Sequence, residues 1–210
     1  MTTATAAQDP VLLGMLQKGE DVLDFITEHS FTVFEPIARD IAKACFYAWL
    51  YGGGKKGVVR WMSQRLLHLT GTMHTHPMDT IAKLFPECAK FRRRQMQKAA
   101  NGPLTLPWGH IRSIPKGPTQ GPAAAAAVPQ ALGGAGLKEY LIECQKYPIL
   151  LHSLAAVVHD EAVHGPFYTI EEAEECAATM IPAMKEGFGK VIDPSIPIRV
   201  SVEVQKQWTH

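Results

Sequence analysis

The chain has 210 residues, of which 46% are hydrophobic and 20% charged, a composition that excludes a disordered tail, a collagen-like rod and a coiled coil. No apolar run reaches the roughly 18 residues that span a bilayer, and the N-terminus lacks the basic and apolar parts of a signal peptide. We therefore expect a cytoplasmic protein that is not secreted, built as one domain or two closely packed lobes. The four cysteines are at least 32 residues apart and predict free thiols in a reducing compartment.

The net charge of +1 conceals a strong asymmetry along the chain. Residues 1–53 hold three Lys/Arg and seven Asp/Glu, residues 54–116 hold twelve and two, and residues 117–210 hold six and eleven. The basic middle third predicts a polyanionic partner, with a solvated helical face as the alternative. Twelve to two is too one-sided for salt-bridged helix faces, which mix both signs.

The first half of the chain is predicted to be helical, with helices at residues 10–18, 21–30, 36–51, 55–68 and 78–100. The third helix begins at a proline and ends at three glycines. Pro86 interrupts the last helix.

The second half mixes helices with strands. Residues 101–122 predict an irregular connection holding one or two short strands. Further helices are predicted at 120–132, 137–147 and 170–188, and strands at 149–158, 162–167 and 196–204. Helices first and strands afterwards predict an α+β protein with a helical lobe and a sheet lobe.

One face of the third helix carries two cations and then two aromatic rings. Arg39, Lys43, Tyr47 and Tyr51 are four residues apart throughout, so they form a stripe that drifts slowly around the helix. A nucleoside triphosphate has the same order of features, with an anionic tail for the cations and a sugar and base for the rings. The alternative is an amphipathic helix with a mixed face.

Two adjacent carboxylates, Asp160 and Glu161, follow His159 between two apolar strand-like runs. Each carboxylate raises the pKa of the other, and a divalent cation relieves the repulsion. The alternative is a solvent-exposed turn. Together with a triphosphate-binding stripe, however, such a pair forms the complementary half of a metal-dependent phosphoryl-transfer site.

These two segments resemble motifs of the family A DNA polymerases, which include bacterial repair polymerase and phage replicative polymerases. RDIAKACFYAWLYG at 39–52 resembles motif B, the fingers helix, and AAVVHDEAV at 155–163 resembles motif C. Four further segments resemble other parts of that family, in order: DPVLLGMLQKGED, LPWGHIRSIP, KGPTQGPAAAAA and IPIRVSVEVQKQW. The resemblance implies a polymerase-like α+β fold, with a fingers-like helical region at residues 1–105 and a partial palm with an antiparallel sheet at residues 106–210.

The motif B resemblance implies a dNTP-binding helix. Arg39 and Lys43 would bind the triphosphate, and Lys43 would also donate a proton to the departing pyrophosphate. Tyr47 would lie against the sugar, Tyr51 would stack near the templating position, and Gly52 would permit its motion.

The motif C resemblance implies metal-binding residues and a primer contact, and the resemblances of LPWGHIRSIP and KGPTQGPAAAAA imply further DNA contacts. Asp160 and Glu161 would hold catalytic Mg²⁺ in a two-metal site. His159 would lie close to the primer end, Gln120 would contact the minor groove, and Arg112 would contact the DNA.

In this family motif A, a DYSxxE-like segment, supplies the second metal-binding aspartate. The chain contains no such segment. The resemblance therefore implies the C-terminal part of a split or shortened DNA-directed DNA polymerase. We expect it to bind dNTP and DNA primer-template and to need a partner polypeptide with motif A, a thumb and possibly an exonuclease. It would act in the cytoplasm of a bacterium or of a phage-infected cell, and no membrane is expected among its partners.

Two alternatives belong to other classes: a non-catalytic DNA-binding accessory or remnant of a polymerase, and a small metal-dependent nucleotide-binding protein. His74 and His76 have the spacing of a metal pair but are expected in a surface turn. Trp49, Trp61 and Trp108 are expected to be packing residues.

Overall fold

The computed structural model describes residues 1–32, 36–55, 75–158 and 161–206. The chain divides into two compact units, Met1–Pro129 and Gln130–His210. Within the described residues, no helix has both the length and the apolar character needed to cross a membrane. The predicted division of the chain into a fingers-like region at residues 1–105 and a partial palm at residues 106–210 stays a prediction.

Unit 1 is built mainly from helices. Among the described residues these include α1 (Thr2–Ala7), α2 (Pro10–Lys18), α3 (Val22–Glu28), α4 (Pro36–Leu50), α5 (Pro77–Leu84) and α6 (Pro86–Asn101). A small antiparallel hairpin follows, formed by β1 (Leu104–Thr105) and β2 (Ile111–Arg112).

Unit 2 combines helices with a second antiparallel hairpin. Helix α7 (Gln120–Cys144) begins in unit 1 and continues into unit 2. It is followed by α8 (Pro148–Ser153), β3 (Leu154–Val158), β4 (Glu161–His164) and α9 (Ile170–Gly189). This order of elements confirms the predicted α+β class.

Several predicted elements differ from the structure. Residues 120–132 and 137–147 belong to one helix up to Cys144, which continues through Pro129. Residues 148–153 are helical rather than extended, because Pro148 occupies the first turn, where its missing N–H costs nothing. The short helix α1 was not predicted, and the predicted helix at 55–68 lies outside the described residues from residue 56 onward.

The alternating segment at 196–204 was predicted as a strand, and this prediction is wrong. Residues 197–205 have no regular secondary structure. A strand requires a hydrogen-bonded neighbour, and among the described residues β3 and β4 pair only with each other. Alternation alone therefore did not produce a strand here.

The buried Asp9 carboxylate caps two helices of unit 1. Its Oδ1 accepts hydrogen bonds from the backbone N–H groups of Val11 and Leu12 at 3.1 and 3.2 Å, at the start of α2. Its Oδ2 accepts from those of Glu87 and Cys88 at 2.9 and 3.1 Å, at the start of α6. One side chain thus satisfies four N–H groups that the helices themselves leave unpaired.

A close approach of α7 and α9 organises the core of unit 2. A Cβ atom at Gly187 would lie 2.4 Å from the backbone nitrogen of Tyr140, so only glycine permits this contact. Buried apolar side chains surround it, among them Leu137, Leu150 and Met180. The two helices therefore pack backbone against backbone at this point.

A short hydrogen-bonded chain crosses the same core. The Ser153 hydroxyl donates to the Ile149 carbonyl at 2.5 Å, so it accepts from Nδ1 of His164 at 2.9 Å. Nε2 of His164 then accepts from the Tyr140 hydroxyl at 2.8 Å. Burial lowers the pKa of His164, which fits a neutral, structural imidazole.

A buried carboxylate joins the ends of α7 and α9. Glu143 has a fully buried side chain, forms an ion pair with Lys146, and accepts a hydrogen bond from Lys190 at 2.5 Å. Hydrogen bonds from Lys146 and Lys190 lower the pKa of Glu143 to about 2, from an ordinary value of 4.5. Glu186 and Glu139 bind the same two lysines from the outside.

Replacing Asp9 by alanine is expected to lower the free energy of unfolding by about 2–4 kcal/mol, because one cap is worth about 1–2 kcal/mol and two helices lose theirs. Urea unfolding of the variant measures this change. Asp40→Ala, which removes an exposed carboxylate on α4, serves as the control. Equal unfolding midpoints for the Asp9 and Asp40 variants would contradict the double cap.

The Glu143 cluster predicts a specific acid dependence. Since the pKa of Glu143 is depressed on folding, its contribution to stability is complete above pH 4.5 and is lost as the pH falls towards about 2. Glu143→Gln is therefore expected to be less stable than the wild type at neutral pH and to show a shallower loss of stability in that window. Chemical unfolding at several pH values checks this, with the exposed Glu174→Gln as control; parallel pH profiles for wild type and Glu143→Gln would refute it.

Candidate functional site

Helix α4 carries the predicted stripe on its solvent side. The buried face consists of Ala38, Ile41, Ala42, Cys45 and Trp49. At 100° per residue, positions 43, 47 and 51 lie opposite that face and position 39 lies at its border. The structure agrees: the side chains at 43, 47 and 51 are exposed, and the one at 39 is half-buried.

The two tyrosines are solvent-accessible rings, and Tyr47 is packed against a neighbouring ring. Tyr47 is 47% exposed and Tyr51 is 53% exposed. The ring of Phe46 lies edge-on to that of Tyr47, with 6.3 Å between the centroids, and also packs against the buried Phe85 at 6.3 Å. The exposed Lys43 lies one helical turn before Tyr47. This face can therefore offer a cation and two stacking surfaces to one ligand.

Arg39 makes two ion pairs that its spacing on α4 did not reveal. Its Nη2 donates to Asp21 Oδ2 at 2.6 Å, and its Nε donates to Asp24 Oδ1 at 2.7 Å. These hydrogen bonds raise the pKa of the Arg39 guanidinium. Asp21 also caps α3, accepting from the N–H groups of Leu23 and Asp24 at 2.8 and 3.1 Å. The guanidinium therefore joins α4 to the start of α3, and an anionic ligand has to compete with two carboxylates for it.

Gly52 ends α4 against the first turn of α7. Its φ of +79° favours glycine, and a Cβ atom there would lie 2.3 Å from Cα of Pro122. Arg92 supports the same turn, because its Nη2 donates to the Gly53 carbonyl at 3.1 Å and its guanidinium stacks on Trp49 at 5.3 Å. The predicted hinge-like role of Gly52 stays a prediction; in this structure the residue permits a close backbone contact.

The two other predicted DNA contacts of unit 1 occupy different environments. Gln120 is half-buried at the start of α7, and its Nε2 donates to the Ala99 carbonyl at 2.9 Å. Arg112 is exposed on β2, opposite Leu104 in the hairpin. Gln120 thus holds α6 to α7, a contact that the sequence did not indicate.

The motif C-like hairpin is present in unit 2. Strands β3 and β4 are antiparallel, with Val158 paired to Glu161. Glu161 is exposed at the start of β4, whereas His159 and Asp160 lie outside the described residues. In the ranges that the structure describes, no group of three or more His, Cys, Asp or Glu side chains could hold a metal ion, and Glu161 alone does not make a magnesium site.

A cavity of about 510 Å³ lies in unit 2 between β4, α9 and residues 201–205. Its walls include His164 and Cys176, with Met180 and Met184 from α9. All four cysteines are free, as predicted, and all four are buried. The sequence offered no signal for this cavity, because its walls come from separate elements that meet only through packing.

The described histidine and tryptophan residues named in these predictions lie in different environments. His76 caps α5, accepting at Nδ1 from the Met78 N–H at 3.2 Å, while His74 lies outside the described residues. Trp49 is buried, as predicted, and Trp61 lies outside the described residues. The prediction for Trp108 is wrong: this side chain is 59% exposed, because it occupies the tight turn between β1 and β2.

A solved structure with a similar fold is the POL domain of Pol1 from M. smegmatis, in complex with DNA primer-template and dNTP. The TM-score is 0.66 and the sequence identity 21%, over 95% of this chain and 36% of that chain. No family model matches the sequence, and no curated protein does. The chain therefore has a polymerase-like fold and spans about a third of that Pol1 structure.

Proposed function

We propose that the chain is the C-terminal fingers and partial palm region of a family A DNA-directed DNA polymerase. It would take part in transferring a nucleotidyl group from a dNTP to a primer 3′-hydroxyl. The observation that supports this most is the fold similarity over 95% of the chain to a polymerase domain solved with DNA primer-template and dNTP. The order of the motif B-like and motif C-like segments supports the same proposal.

In this proposal the exposed face of α4 binds the incoming nucleotide. Lys43 and Arg39 bind the triphosphate, and Tyr47 and Tyr51 stack on the sugar and near the templating base. The side chain of Lys43 is exposed to solvent, where an anion can reach it. Arg39 reaches a phosphate by releasing or sharing its bonds to Asp21 and Asp24.

The catalytic carboxylates would come from the β3–β4 hairpin. Asp160 and Glu161 would hold Mg²⁺, which supplies charge neutralisation for the triphosphate and the primer hydroxyl. Since the 210 residues contain no DYSxxE-like segment, we propose that a partner polypeptide carrying motif A provides the remaining carboxylate. His159, Gln120 and Arg112 would contact the primer-template.

Primer extension tests this proposal. The purified chain, supplied with primer-template, dNTPs and Mg²⁺, is expected to extend the primer only after addition of a polypeptide that carries motif A. In that complex Asp160→Ala is expected to lower the rate by at least about a hundredfold, since a metal-binding carboxylate is lost. Lys43→Ala is expected to weaken dNTP use, because a cation for the triphosphate is lost, and Lys18→Ala, which removes an exposed lysine of α2, is the charge-matched control.

Two results would contradict the proposal. Robust extension by the lone chain would remove the need for a partner. Full activity of the Asp160→Ala complex would assign the chemistry elsewhere and favour the non-catalytic DNA-binding remnant.

A further inference from the structure

The β1–β2 hairpin is anchored at its base and exposed at its tip. Leu104 is buried and packs with Ala99, Ala124 and Ala127. Leu106 and Ile114, on either side of the tip, are partly buried against the same cluster. The hairpin is therefore held firmly on α6 and α7 within unit 1.

The tip presents large apolar side chains to solvent. Trp108 is 59% exposed and Ile111 is 74% exposed. Hydrogen bonds from the Leu106 N–H to the His110 carbonyl at 2.7 Å, and from the Gly109 N–H to the Leu106 carbonyl at 3.2 Å, hold the turn. Trp108 itself has a φ of +63°, which is rare for a bulky side chain. The turn thus keeps an indole outside the core at a conformational cost.

The chain around this tip is basic, and the acidic residue that precedes it, Glu87 in the first turn of α6, forms an ion pair with Lys90. Residues 88–129 contain seven Lys/Arg and no Asp or Glu. On α6 the exposed cations outside that pair include Arg93, Arg94 and Lys98, and only two residues separate α6 from β1. A surface of purely positive charge is complementary to a polyanion. It is less complementary to a protein partner whose surface carries both acidic and basic residues.

We propose that the β1–β2 hairpin is a stacking site for single-stranded nucleic acid, with the Trp108 indole lying on an unpaired base. The cations of α6 and Arg112 follow the phosphates on either side. An unpaired base has a free face for the indole, whereas bases inside a duplex are already stacked on one another, so the site selects single strands. This inference rests on the proposed function, in which the single strand is the template ahead of the primer.

The inference is tested by measuring the binding of the full chain to oligothymidine of about 20 nucleotides. This length exceeds the site sizes of proteins that bind single-stranded nucleic acid. Trp108→Asn removes the ring and tolerates a positive φ. It is expected to weaken binding by about five- to a hundredfold, the usual effect of losing one base–aromatic contact. Trp108→Tyr keeps a ring and is expected to stay within about threefold of the wild type.

An abasic strand of equal length and charge separates stacking from a structural effect. On that strand the wild type and Trp108→Asn are expected to bind equally, and the salt dependence is expected to be unchanged because no charge is lost. Tyr168→Asn, which removes a 98% exposed ring of unit 2, is the control and is expected to bind like the wild type. Thermal melting confirms that each variant is folded.

Three outcomes would overturn the stacking site: no binding of oligothymidine by the wild type, wild-type affinity in Trp108→Asn, or an equal loss on the abasic strand. The proposed function fails separately. Trp108-dependent binding in a chain that extends no primer with the motif A polypeptide would support the stacking site and overturn the polymerase proposal.

Discussion

Two aspartates at helix ends hold unit 1 together, and each does so with both oxygens. Asp9 caps α2 with Oδ1 and binds the start of α6 with Oδ2. Asp21 caps α3 with Oδ1 and binds Arg39 of α4 with Oδ2. One oxygen of each carboxylate accepts hydrogen bonds from N–H groups at a helix start, and the other oxygen accepts from a group on a second helix. Each carboxylate therefore fixes two helices relative to each other. The orientation of the exposed face of α4 depends on this arrangement.

This constraint connects the proposed nucleotide site to the packing of the helices. Arg39 joins α3 to α4 and is also a proposed triphosphate ligand, so a phosphate that draws it away loosens the contact between these helices. The other end of α4 is held differently, because Gly52 lies against Pro122 with no space for a side chain. We therefore expect nucleotide binding to act first on the Arg39 end of the helix.

Local patterns predicted the local features of this chain. The four-residue spacing of Arg39, Lys43, Tyr47 and Tyr51 placed them along one side of α4, and the apolar runs around residues 159–161 predicted the β3–β4 hairpin. The partners of Asp9 on α6 are 78 and 79 residues away, and those of Arg39 are 15 and 18 residues away. No periodicity encodes such contacts, since they depend on how the helices pack.

The same limit explains the wrong predictions. The segment at 196–204 alternates like a strand but has no neighbour to pair with among the described residues. Trp108 is the kind of residue that usually packs, yet the turn that contains it directs it outward. Residue type predicts burial only on average, and the turn determines the outcome at this position.

Photoaffinity labelling tests whether the exposed face of α4 binds a nucleoside triphosphate, as proposed. The full chain is irradiated with 8-azido-dATP and Mg²⁺, and the labelled peptides are identified by mass spectrometry. Adducts are expected within residues 36–52, lost with excess unlabelled dNTP and reduced in Lys43→Ala. Labelling confined to other segments, such as the walls of the unit 2 cavity, or unaffected by unlabelled dNTP, would contradict it.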